Sequence, residues 1–368
     1  MSILVINAGS SSIKYTLFER ESLQIRSHGL IEELHDHHAG FETMQQRLMD
    51  DGFDIRTLDA IGHRVVHGGE RFLKPTRIDA ALIDELKKLI PLAPLHNPAN
   101  IEGIVAARAL APGIANIAVF DTAFHHSMPE YAYRYPLPHE LYFRDHVRRY
   151  GFHGTSHYYV ATQAAIALER PLESLNLITL HIGNGVSACA IQNGKSVDTT
   201  MGMTPLEGLM MGTRCGSIDP GIILYLMREG GLSVHEIDTL FNKRSGLKAI
   251  GGESDMRQLM EASENNDANA ALAIEMFTYR LKKQIGAYSA VLGNVDAVVF
   301  TGGIGEHAAL IRTLACQGLE RFGLAIDELK NSAGEMFINT LNSPTKILVI
   351  PTDEERQIAL HVKELLHQ

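Results

Sequence analysis

Apolar and polar positions near the N-terminus alternate in a way that predicts two strands joined by a tight turn. Residues 3–6 form a short β-branched run, and residues 13–18 place apolar side chains at every second position. A second pair of such runs, 177–181 and 186–191, encloses another polar turn that contains two glycines. Because the two hairpins lie half a chain apart, the pattern predicts a duplicated domain rather than a short-period repeat.

The remaining periodicity predicts helices that alternate with strands. Asp79 and Pro91 bound the first helical pattern as an N-cap and a stop. Helices are predicted over residues 79–90, 156–168, 220–229, 268–292 and 305–322, and from residue 353. Further strands are predicted over residues 117–120, 296–301 and 347–350. This alternation predicts α/β architecture throughout, with two domains and a cleft between them.

Composition and charge narrow the class of protein. The chain has 368 residues, of which 45% are hydrophobic and 21% charged, and this suits two or three globular domains. Its formal net charge of −10, without long basic runs, argues against a nucleic-acid or anionic-membrane binder. The three cysteines show no CxxC pairing, and the N-terminus lacks the charged lead of a signal peptide. We therefore expect a soluble cytoplasmic protein that binds anions through a few local groups.

Two polar turns have the composition of phosphate-binding sites. In residues 7–12, Gly9 and three serines precede Lys14, so backbone N–H groups, hydroxyls and one cation could bind a phosphate chain. A plain hairpin turn explains this segment equally well. Residues 302–307, Gly-Gly-Ile-Gly-Glu-His, follow a predicted strand and open a helix, which suits backbone contact with a nucleotide. A dinucleotide-binding interpretation of these glycines lacks the usual βαβ context.

Three cationic candidates lie between glycines, which would let a ligand approach the backbone closely. They are Arg64 within residues 62–69, His153 within residues 150–157 and Arg214 within residues 212–216. Each could instead have a structural role, but together with the two turns they favour anion chemistry. Asp121 follows a predicted strand, where α/β active sites collect polar groups. No GxSxG or HExxH motif supports a serine or zinc hydrolase.

In this order, the motifs resemble the acetate kinase family of the actin-like phosphotransferase superfamily. The segments YGFHGTSH at 150–157 and TPLEGLMMGTR at 204–214 are long and specific, and the likeness runs over nearly the whole chain. The resemblance implies an α/β fold with two duplicated actin-like (ribonuclease H-like) domains and an active-site cleft between them. It implies an N-terminal domain of residues 1–123 plus 356–368, and a C-terminal domain of residues 124–355 that binds nucleotide and forms a dimer interface.

The resemblance also implies the reaction. An acetate kinase transfers a phosphoryl group from ATP to acetate, reversibly and with Mg²⁺ (Mn²⁺ as a substitute), giving acetyl phosphate and ADP. A propionate kinase with the same mechanism and a different pocket volume is the nearest alternative. A non-enzymatic actin-like nucleotide-binding protein fits less well, because a binder needs no cationic groups aimed at the transferred phosphoryl. The resemblance further implies a homodimer with no nucleic-acid or membrane partner.

Site residues are implied by matched motif position. The catalytic residues are Asp121, His153 and Arg214. The residues that bind acetate or another short-chain carboxylate are Arg64, Val66, Leu95, Phe152 and Pro205. The ATP-binding residues are Ser10, Ser12, Lys14, His181, Gly183, Asn184, Gly185, Asp255, Met256, Arg257, Gly303, Ile304, Gly305, Glu306 and His307. The Mg²⁺-associated residues are Asn7 and Glu354, and the departures from the family pattern include Ser217, where Asp is common, and His307, where Asn is usual.

Overall fold

The computed structural model describes residues 1–9, 12–32 and 37–367. The chain forms two compact units. Unit 1 comprises Met1–His126, Phe152–Ser156 and Asp353–Gln368, and unit 2 comprises Ser127–Gly151 and His157–Thr352. The last helix therefore belongs to the unit that holds the first strand. The domain bounds implied by the family resemblance stay a prediction.

Strands and helices alternate along the described chain. The strands are β1 (Ser2–Ala8), β2 (Ile13–Glu19), β3 (Ile25–Ile31), β4 (Ala60–Val65), β5 (Thr76–Arg77), β6 (Ala115–Phe120), β7 (Asn176–Ile182), β8 (Val186–Gln192), β9 (Lys195–Thr199), β10 (Ala297–Thr301) and β11 (Lys346–Val349). The α-helices are α1 (His37–Asp50), α2 (Ala80–Lys88), α3 (Asn97–Leu110), α4 (Glu130–Tyr133), α5 (His139–Asp145), α6 (Gly154–Ala167), α7 (Gly221–Arg228), α8 (Val234–Lys243), α9 (Gly246–Gly251), α10 (Met256–Glu264), α11 (Ala268–Leu292), α12 (Gly302–His307), α13 (Ala309–Cys316), α14 (Glu328–Ala333) and α15 (Glu354–Leu366).

The sheet of unit 1 has the strand order β3-β2-β1-β4-β6-β5. β1, β2 and β3 form an antiparallel meander, whereas β4 and β6 run parallel to β1. Both faces of β1 are covered: Leu4 and Ile6 pack with residues of α1 and α3, and Ile3 and Val5 pack with residues of α15. The carboxyl ends of β1, β4 and β6 consequently meet at one edge of a sheet that is buried on both sides.

The sheet of unit 2 repeats this arrangement. Its order is β11-β10-β7-β8-β9, with an antiparallel meander of β7, β8 and β9 and with β10 and β11 parallel to β7. This order corresponds to β6-β4-β1-β2-β3 of unit 1. The prediction of two duplicated α/β domains is therefore confirmed at the level of strand order.

The helix predictions agree with the structure in part. α11 spans residues 268–292 as predicted, but the single helix predicted over residues 305–322 is wrong. α12 ends and α13 begins on either side of Ala308, whose backbone (φ −99°, ψ 85°) is not helical. α3 was not predicted, because its buried face includes two asparagines and a glycine besides its apolar residues. In the described part of the chain, no helix is long and apolar enough to cross a membrane.

Gly103 in α3 and Gly286 in α11 form a matched pair of helical glycines. A Cβ at Gly103 would lie 2.6 Å from the Cβ of Ala8, whereas a Cβ at Gly286 would meet nothing within 4 Å. We expect Gly103→Ala to lower the free energy of unfolding by about 1–3 kcal/mol through overpacking. Gly286→Ala should raise it by about 0.5–1 kcal/mol, because alanine is the better helix former. Urea unfolding followed by circular dichroism measures both, and changes of the same sign would contradict the close approach of α3 to β1.

Candidate functional site

Arg64 lies at the carboxyl end of β4, and oxygen atoms surround its guanidinium. Nε and Nη2 donate to Oδ1 and Oδ2 of Asp121 at 3.2 and 2.5 Å, which makes a bidentate pair. Nε is also 3.3 Å from Oε2 of Glu354, and Nη1 donates to Oδ1 of Asn7 at 3.4 Å. The parallel order of β1, β4 and β6 brings Asn7, Arg64 and Asp121 to the same edge, and Glu354 comes from the first turn of α15.

Burial shifts the acid–base equilibria of this cluster. It lowers the pKa of the Arg64 guanidinium, but the charges of Asp121 and Glu354 outweigh this effect, so that the pKa lies above its ordinary value. Burial raises the pKa of Glu354 above its ordinary value, with Arg64 opposing the shift and Asp121 adding to it. The cluster thus holds more carboxylates than its one guanidinium can neutralise, and it suits a further cation.

Asp121 is fully buried, and three hydrogen bonds besides those from Arg64 hold it in place. Thr155 Oγ1 donates to its Oδ1 at 3.1 Å, Gly154 N donates to its carbonyl oxygen at 2.9 Å, and its own N–H donates to the Val65 carbonyl at 3.0 Å. A Cβ at Gly154 would lie 2.2 Å from the Asp121 carbonyl oxygen, so this approach requires glycine. The glycines around His153 were predicted to admit a ligand, whereas Gly154 also admits the Asp121 backbone; Thr155 had no predicted role.

His153 adopts a left-handed backbone immediately before α6. Its φ of +55° is uncommon for a residue with a side chain and costs about 1–2 kcal/mol. The preceding Phe152 is buried, and its carbonyl oxygen lies 3.0 Å from Nε2 of His125. Strain of this kind persists where surrounding contacts hold it, and it collects at functional sites. Five other described residues that are not glycine also have positive φ, and the catalytic role of His153 stays a prediction.

The apolar residues predicted for the acetate site in unit 1 differ in exposure. Val66 and Phe152 are buried, whereas Leu95 is 44% exposed. Val66 N donates to Oδ1 of Asn100 at 3.0 Å, and Nδ2 of Asn100 donates to the Ala8 carbonyl at 2.8 Å. This buried amide joins the ends of β1 and β4. Sequence reasoning gave Asn100 no individual role, and an asparagine on the buried face of a helix is the signal that could have found it.

A cavity of about 560 Å³ lies in unit 2, a size that suits a small-molecule ligand. The predicted ATP-binding residues that line it are Gly183, Asn184, Asp255, Met256, Arg257, Gly303, Ile304 and His307. Three further lining residues, which had no predicted role, are Ser254, Met260 and Ala308. Asp255 caps α10 by accepting from Arg257 N at 2.9 Å, and hydrogen bonds from the exposed Arg257 lower the pKa of Asp255 to about 2.

Some predicted ATP-binding residues of unit 2 do not line this cavity. They are His181, Gly185, Gly305 and Glu306. Oε1 of Glu306 accepts from Gly302 N at 2.9 Å and from Thr352 N at 3.1 Å, so this side chain ties the start of α12 to the segment after β11. Gly302 has φ +75°, and a Cβ there would lie 2.9 Å from the backbone of Ile182. The ATP-binding roles of these four residues, like those of the residues that line the cavity, stay a prediction.

Arg214 of unit 2 is partly buried, and it forms no ion pair in the described part of the chain. Its Nη1 donates to the Pro205 carbonyl at 3.3 Å. Burial lowers the pKa of this guanidinium below its ordinary value. A partly buried arginine without a carboxylate partner suits an anionic ligand.

The predicted phosphate turn of unit 1 is described only in part. Ser10 lies outside the described residues, and Gly9 N donates to the Ser12 carbonyl at 2.8 Å. Nζ of Lys14 forms an ion pair with Oε1 of Glu355 at 2.7 Å. Within residues 1–9, 12–32 and 37–367, no three or more His, Cys, Asp or Glu side chains are grouped so that they could hold a metal ion.

Unit 1 thus carries an arginine–carboxylate cluster at its strand ends, and unit 2, which has the corresponding strand order, carries a cavity lined in part by glycines. The Acetokinase family matches residues 31–360. An acetate kinase from Sulfurovum sp. (strain NBC37-1) is 51% identical over 97% of each chain. The crystal structure of Porphyromonas gingivalis acetate kinase is 41% identical over 100% of each chain, with a TM-score of 0.94. That of a propionate kinase from Francisella tularensis subsp. tularensis SCHU S4 is 43% identical over 98% of each chain, also with a TM-score of 0.94. The chain belongs to the acetokinase family, which confirms the resemblance.

Two substitutions of His153 separate the backbone cost from the loss of the side chain. Both His153→Gly and His153→Ala remove the imidazole, but only glycine adopts φ +55° without strain. We expect the alanine variant to be less stable than the glycine variant by about 0.5–1 kcal/mol in thermal unfolding. At Lys87, an exposed position in α2, we expect the reverse order: Lys87→Gly should be less stable than Lys87→Ala by about 1 kcal/mol. If the alanine and glycine variants have the same order of stability at both positions, backbone strain at His153 is contradicted.

Proposed function

We propose that this protein transfers the γ-phosphoryl group of ATP to the carboxylate of acetate, reversibly, giving acetyl phosphate and ADP. The observation that carries the proposal is the Arg64–Asp121 pair at the strand ends of unit 1, in a chain of the acetokinase family. A carboxylate nucleophile is already ionised at neutral pH, so the reaction needs no strong general base. It needs in-line positioning and positive charge around the transferred oxygens.

Arg64 is suited to bind the substrate carboxylate. Asp121 holds its guanidinium through Nε and Nη2, whereas the contact of Nη1 with Asn7 is long at 3.4 Å, so Nη1 can donate to a substrate oxygen. Val66 follows β4 directly and is buried, and it would contact the methyl group. We assign Asp121 a positioning or metal-linked role rather than that of a proton acceptor.

The cavity of unit 2 is suited to the adenosine part of the nucleotide. Its volume of about 560 Å³ and the glycine backbone at Gly183 and Gly303 allow close approach of a ligand. Arg214 has no carboxylate partner in the described chain, so its charge is available to an anionic phosphoryl group. We assign Arg214 and His153 to stabilise the negative charge of the transferred group.

The oxygen atoms around Arg64 fit Mg²⁺. This ion prefers oxygen ligands and is commonly held by one or two carboxylates together with waters and substrate phosphates. Asn7, Asp121 and Glu354 supply amide and carboxylate oxygens around one guanidinium, and they would hold the ion. When bound, Mg²⁺ supplies positive charge next to the phosphate oxygens of ATP.

A propionate kinase is the second candidate. Leu95, a residue of the predicted acetate site, is 44% exposed and would leave space for a further methylene. One methylene in an apolar pocket is worth about 1–3 kcal/mol, so activity with both acids is expected. The similar chain from Francisella tularensis is a propionate kinase by name.

Trapping the acyl phosphate with hydroxylamine tests the proposed function. The purified protein is incubated with ATP, Mg²⁺ and one of the straight-chain C2, C3 or C4 acids, and the hydroxamate is measured against reactions that lack ATP. We expect the fastest formation with acetate and slower formation with propionate. A preference for propionate would favour the second candidate, and no hydroxamate from any acid would refute a carboxylate kinase.

Arg64→Lys tests the carboxylate-binding role. Lysine keeps the positive charge but loses the planar fork of the guanidinium, so we expect the KM for acetate to rise about 10–100-fold with a smaller change in the KM for ATP. Arg77→Lys, on strand β5 of the same unit, is the matched control and should leave both constants unchanged. A change in the KM for ATP alone would contradict the assignment.

We also propose a homodimer formed through unit 2. α7 has no buried residue, and five of its apolar side chains are 36–64% exposed. They are Ile222, Ile223, Leu224, Tyr225 and Met227. An exposed apolar surface of this kind marks an interaction site, and the family resemblance implies a second copy as the partner.

Leu224→Glu tests the dimer. A charge in the middle of the α7 surface should disfavour association, so we expect light scattering after gel filtration to give half the mass of the unsubstituted protein. Leu341, which is 91% exposed and lies outside α7, provides the control substitution Leu341→Glu. Loss of the dimer in both variants, or in neither, would contradict an interface at α7.

Two further expectations are proposals of the same kind. We place the protein in the cytoplasm, since its three cysteines form no disulfide among the described residues. We also retain an N-terminal domain of residues 1–123 plus 356–368 and a C-terminal domain of residues 124–355.

A further inference from the structure

Residues 199–217 form an irregular segment, here called the Arg214 loop, which carries both Pro205 and Arg214. The segment follows β9 and contains no helix or strand beyond Thr199. Nη1 of Arg214 donates to the Pro205 carbonyl at 3.3 Å, so the position of Pro205 helps to set the direction of this guanidinium. The contacts that hold the first half of the loop therefore affect the direction of the Arg214 side chain.

Arg149 holds the start of the loop through three carbonyl groups. Its Nη1 donates to the carbonyl oxygens of Thr199, Thr200 and Met201 at 2.9, 2.9 and 3.1 Å. Its Nη2 forms an ion pair with Oε1 of Glu207 at 2.7 Å. One guanidinium thus joins the beginning of the loop to a residue just beyond Pro205.

Glu207 is held a second time by Tyr135. The Tyr135 hydroxyl donates to Oε2 of Glu207 and accepts from Met203 N at 3.0 Å. Burial, together with the charge of Glu207, raises the pKa of Tyr135, so its hydroxyl stays protonated as a donor. Residues 203–207, which include Pro205, are thereby fixed at both ends.

Gly202 shows how closely this network packs. A Cβ at Gly202 would lie 1.8 Å from Oε2 of Glu207 and 2.2 Å from the Tyr135 hydroxyl oxygen. The Gly202 carbonyl also accepts from Tyr150 N at 3.0 Å and from Gly151 N at 3.2 Å. A side chain at position 202 would therefore overlap the atoms that form the hydrogen bond between Glu207 and Tyr135, so this position requires glycine.

The second half of the loop is held differently, by backbone hydrogen bonds. Met211 N donates to the Arg214 carbonyl at 3.1 Å, Ser245 N donates to the Thr213 carbonyl at 3.0 Å, and Leu247 N donates to the Met211 carbonyl at 2.9 Å. These bonds fix the backbone of Arg214, whose Nη1 donates to the Pro205 carbonyl and also contacts Sδ of Met211 at 3.8 Å. The side chains of Arg149 and Tyr135, which lie outside the loop, therefore hold its first half. This half contains Pro205, whose carbonyl accepts from the Arg214 guanidinium.

We propose that Tyr135, Arg149 and Glu207 are positioning residues, which fix the Pro205 carbonyl and through it aim the Arg214 guanidinium at the transferred phosphoryl group. This inference rests on the proposed function, because it concerns the role assigned there to Arg214. A misplacement of about 1 Å in a positioned group can lower a rate about 100-fold. The network would thus affect kcat although none of its members is among the predicted substrate-binding residues.

Tyr135→Phe tests the proposal with little change in packing, because it removes only the hydroxyl. We expect kcat to fall about tenfold or more while the KM for ATP stays within about twofold, since Arg214 acts on the transition state. Tyr133→Phe is the matched control: its hydroxyl contacts the Tyr142 hydroxyl at 3.4 Å and not the Arg214 loop. Equal kinetics for the two variants would overturn the proposal.

A double-mutant cycle distinguishes positioning from general damage. If Tyr135 acts through Arg214, then adding Tyr135→Phe to Arg214→Ala should change kcat less than about twofold. A purely structural role would instead lower kcat by the same factor in both backgrounds, and that result would overturn the proposal. Glu207→Gln, which keeps the size of the side chain but removes the charge, should behave like Tyr135→Phe.

Amide hydrogen exchange provides a measurement that does not depend on activity. In Tyr135→Phe and Glu207→Gln we expect faster exchange in peptides from residues 199–208, with unchanged exchange in α15. Unchanged exchange in residues 199–208 would overturn the proposal. If the unsubstituted protein forms no hydroxamate, the proposed kinase function fails, whereas the exchange result still decides whether Tyr135 and Glu207 hold the loop.

Discussion

The fully buried carboxylate of Asp121 is paired with the partly buried guanidinium of Arg64, and the site of unit 1 depends on this ion pair. Asp121 is fully buried, and removing either member of such a pair leaves the other charge uncompensated, at a cost of about 3–5 kcal/mol. The pair requires β4 and β6 to be parallel neighbours in the register that aligns Arg64 with Val119. The close approach of Gly154 and the hydroxyl of Thr155 then hold Asp121 in position. Glu354 and Asn7 complete the oxygen shell around the same guanidinium.

The duplicated topology places different chemistry at equivalent positions. Each unit has an antiparallel meander followed by parallel strands, and in each the ends of parallel strands carry the polar residues. In unit 1 these ends hold an arginine with two carboxylates, whereas in unit 2 glycine turns after β7 and β10 line a cavity. The same backbone arrangement can serve two ligands because a fold positions strand ends, while side chains decide what they bind.

The sequence predicted those elements whose signal is local. The hairpins β1–β2 and β7–β8 were found because apolar alternation and glycine turns are visible within about ten residues. α3 was missed because its buried face carries polar residues that pair with distant backbone, as Asn100 does with Ala8. The helix predicted over residues 305–322 was wrong because periodicity does not show that Ala308 leaves the helical conformation. The roles of Thr155 and Glu207 were missed for the same reason as α3, since their partners lie far away in sequence.

By itself, the sequence determined the family, the α/β alternation, the duplication and the residue types available for binding anions. These follow from local periodicity and from long motifs such as YGFHGTSH, which can be recognised without any knowledge of contacts. Only the tertiary structure decided which of these residues meet. In the tertiary structure Arg64 is paired with Asp121, although the sequence left its partner open. Glu306 accepts hydrogen bonds from backbone amides. Arg149 and Tyr135 contact the loop that carries Arg214. The physical reason is that hydrogen bonds and ion pairs depend on distances in space, which strand register and helix packing set.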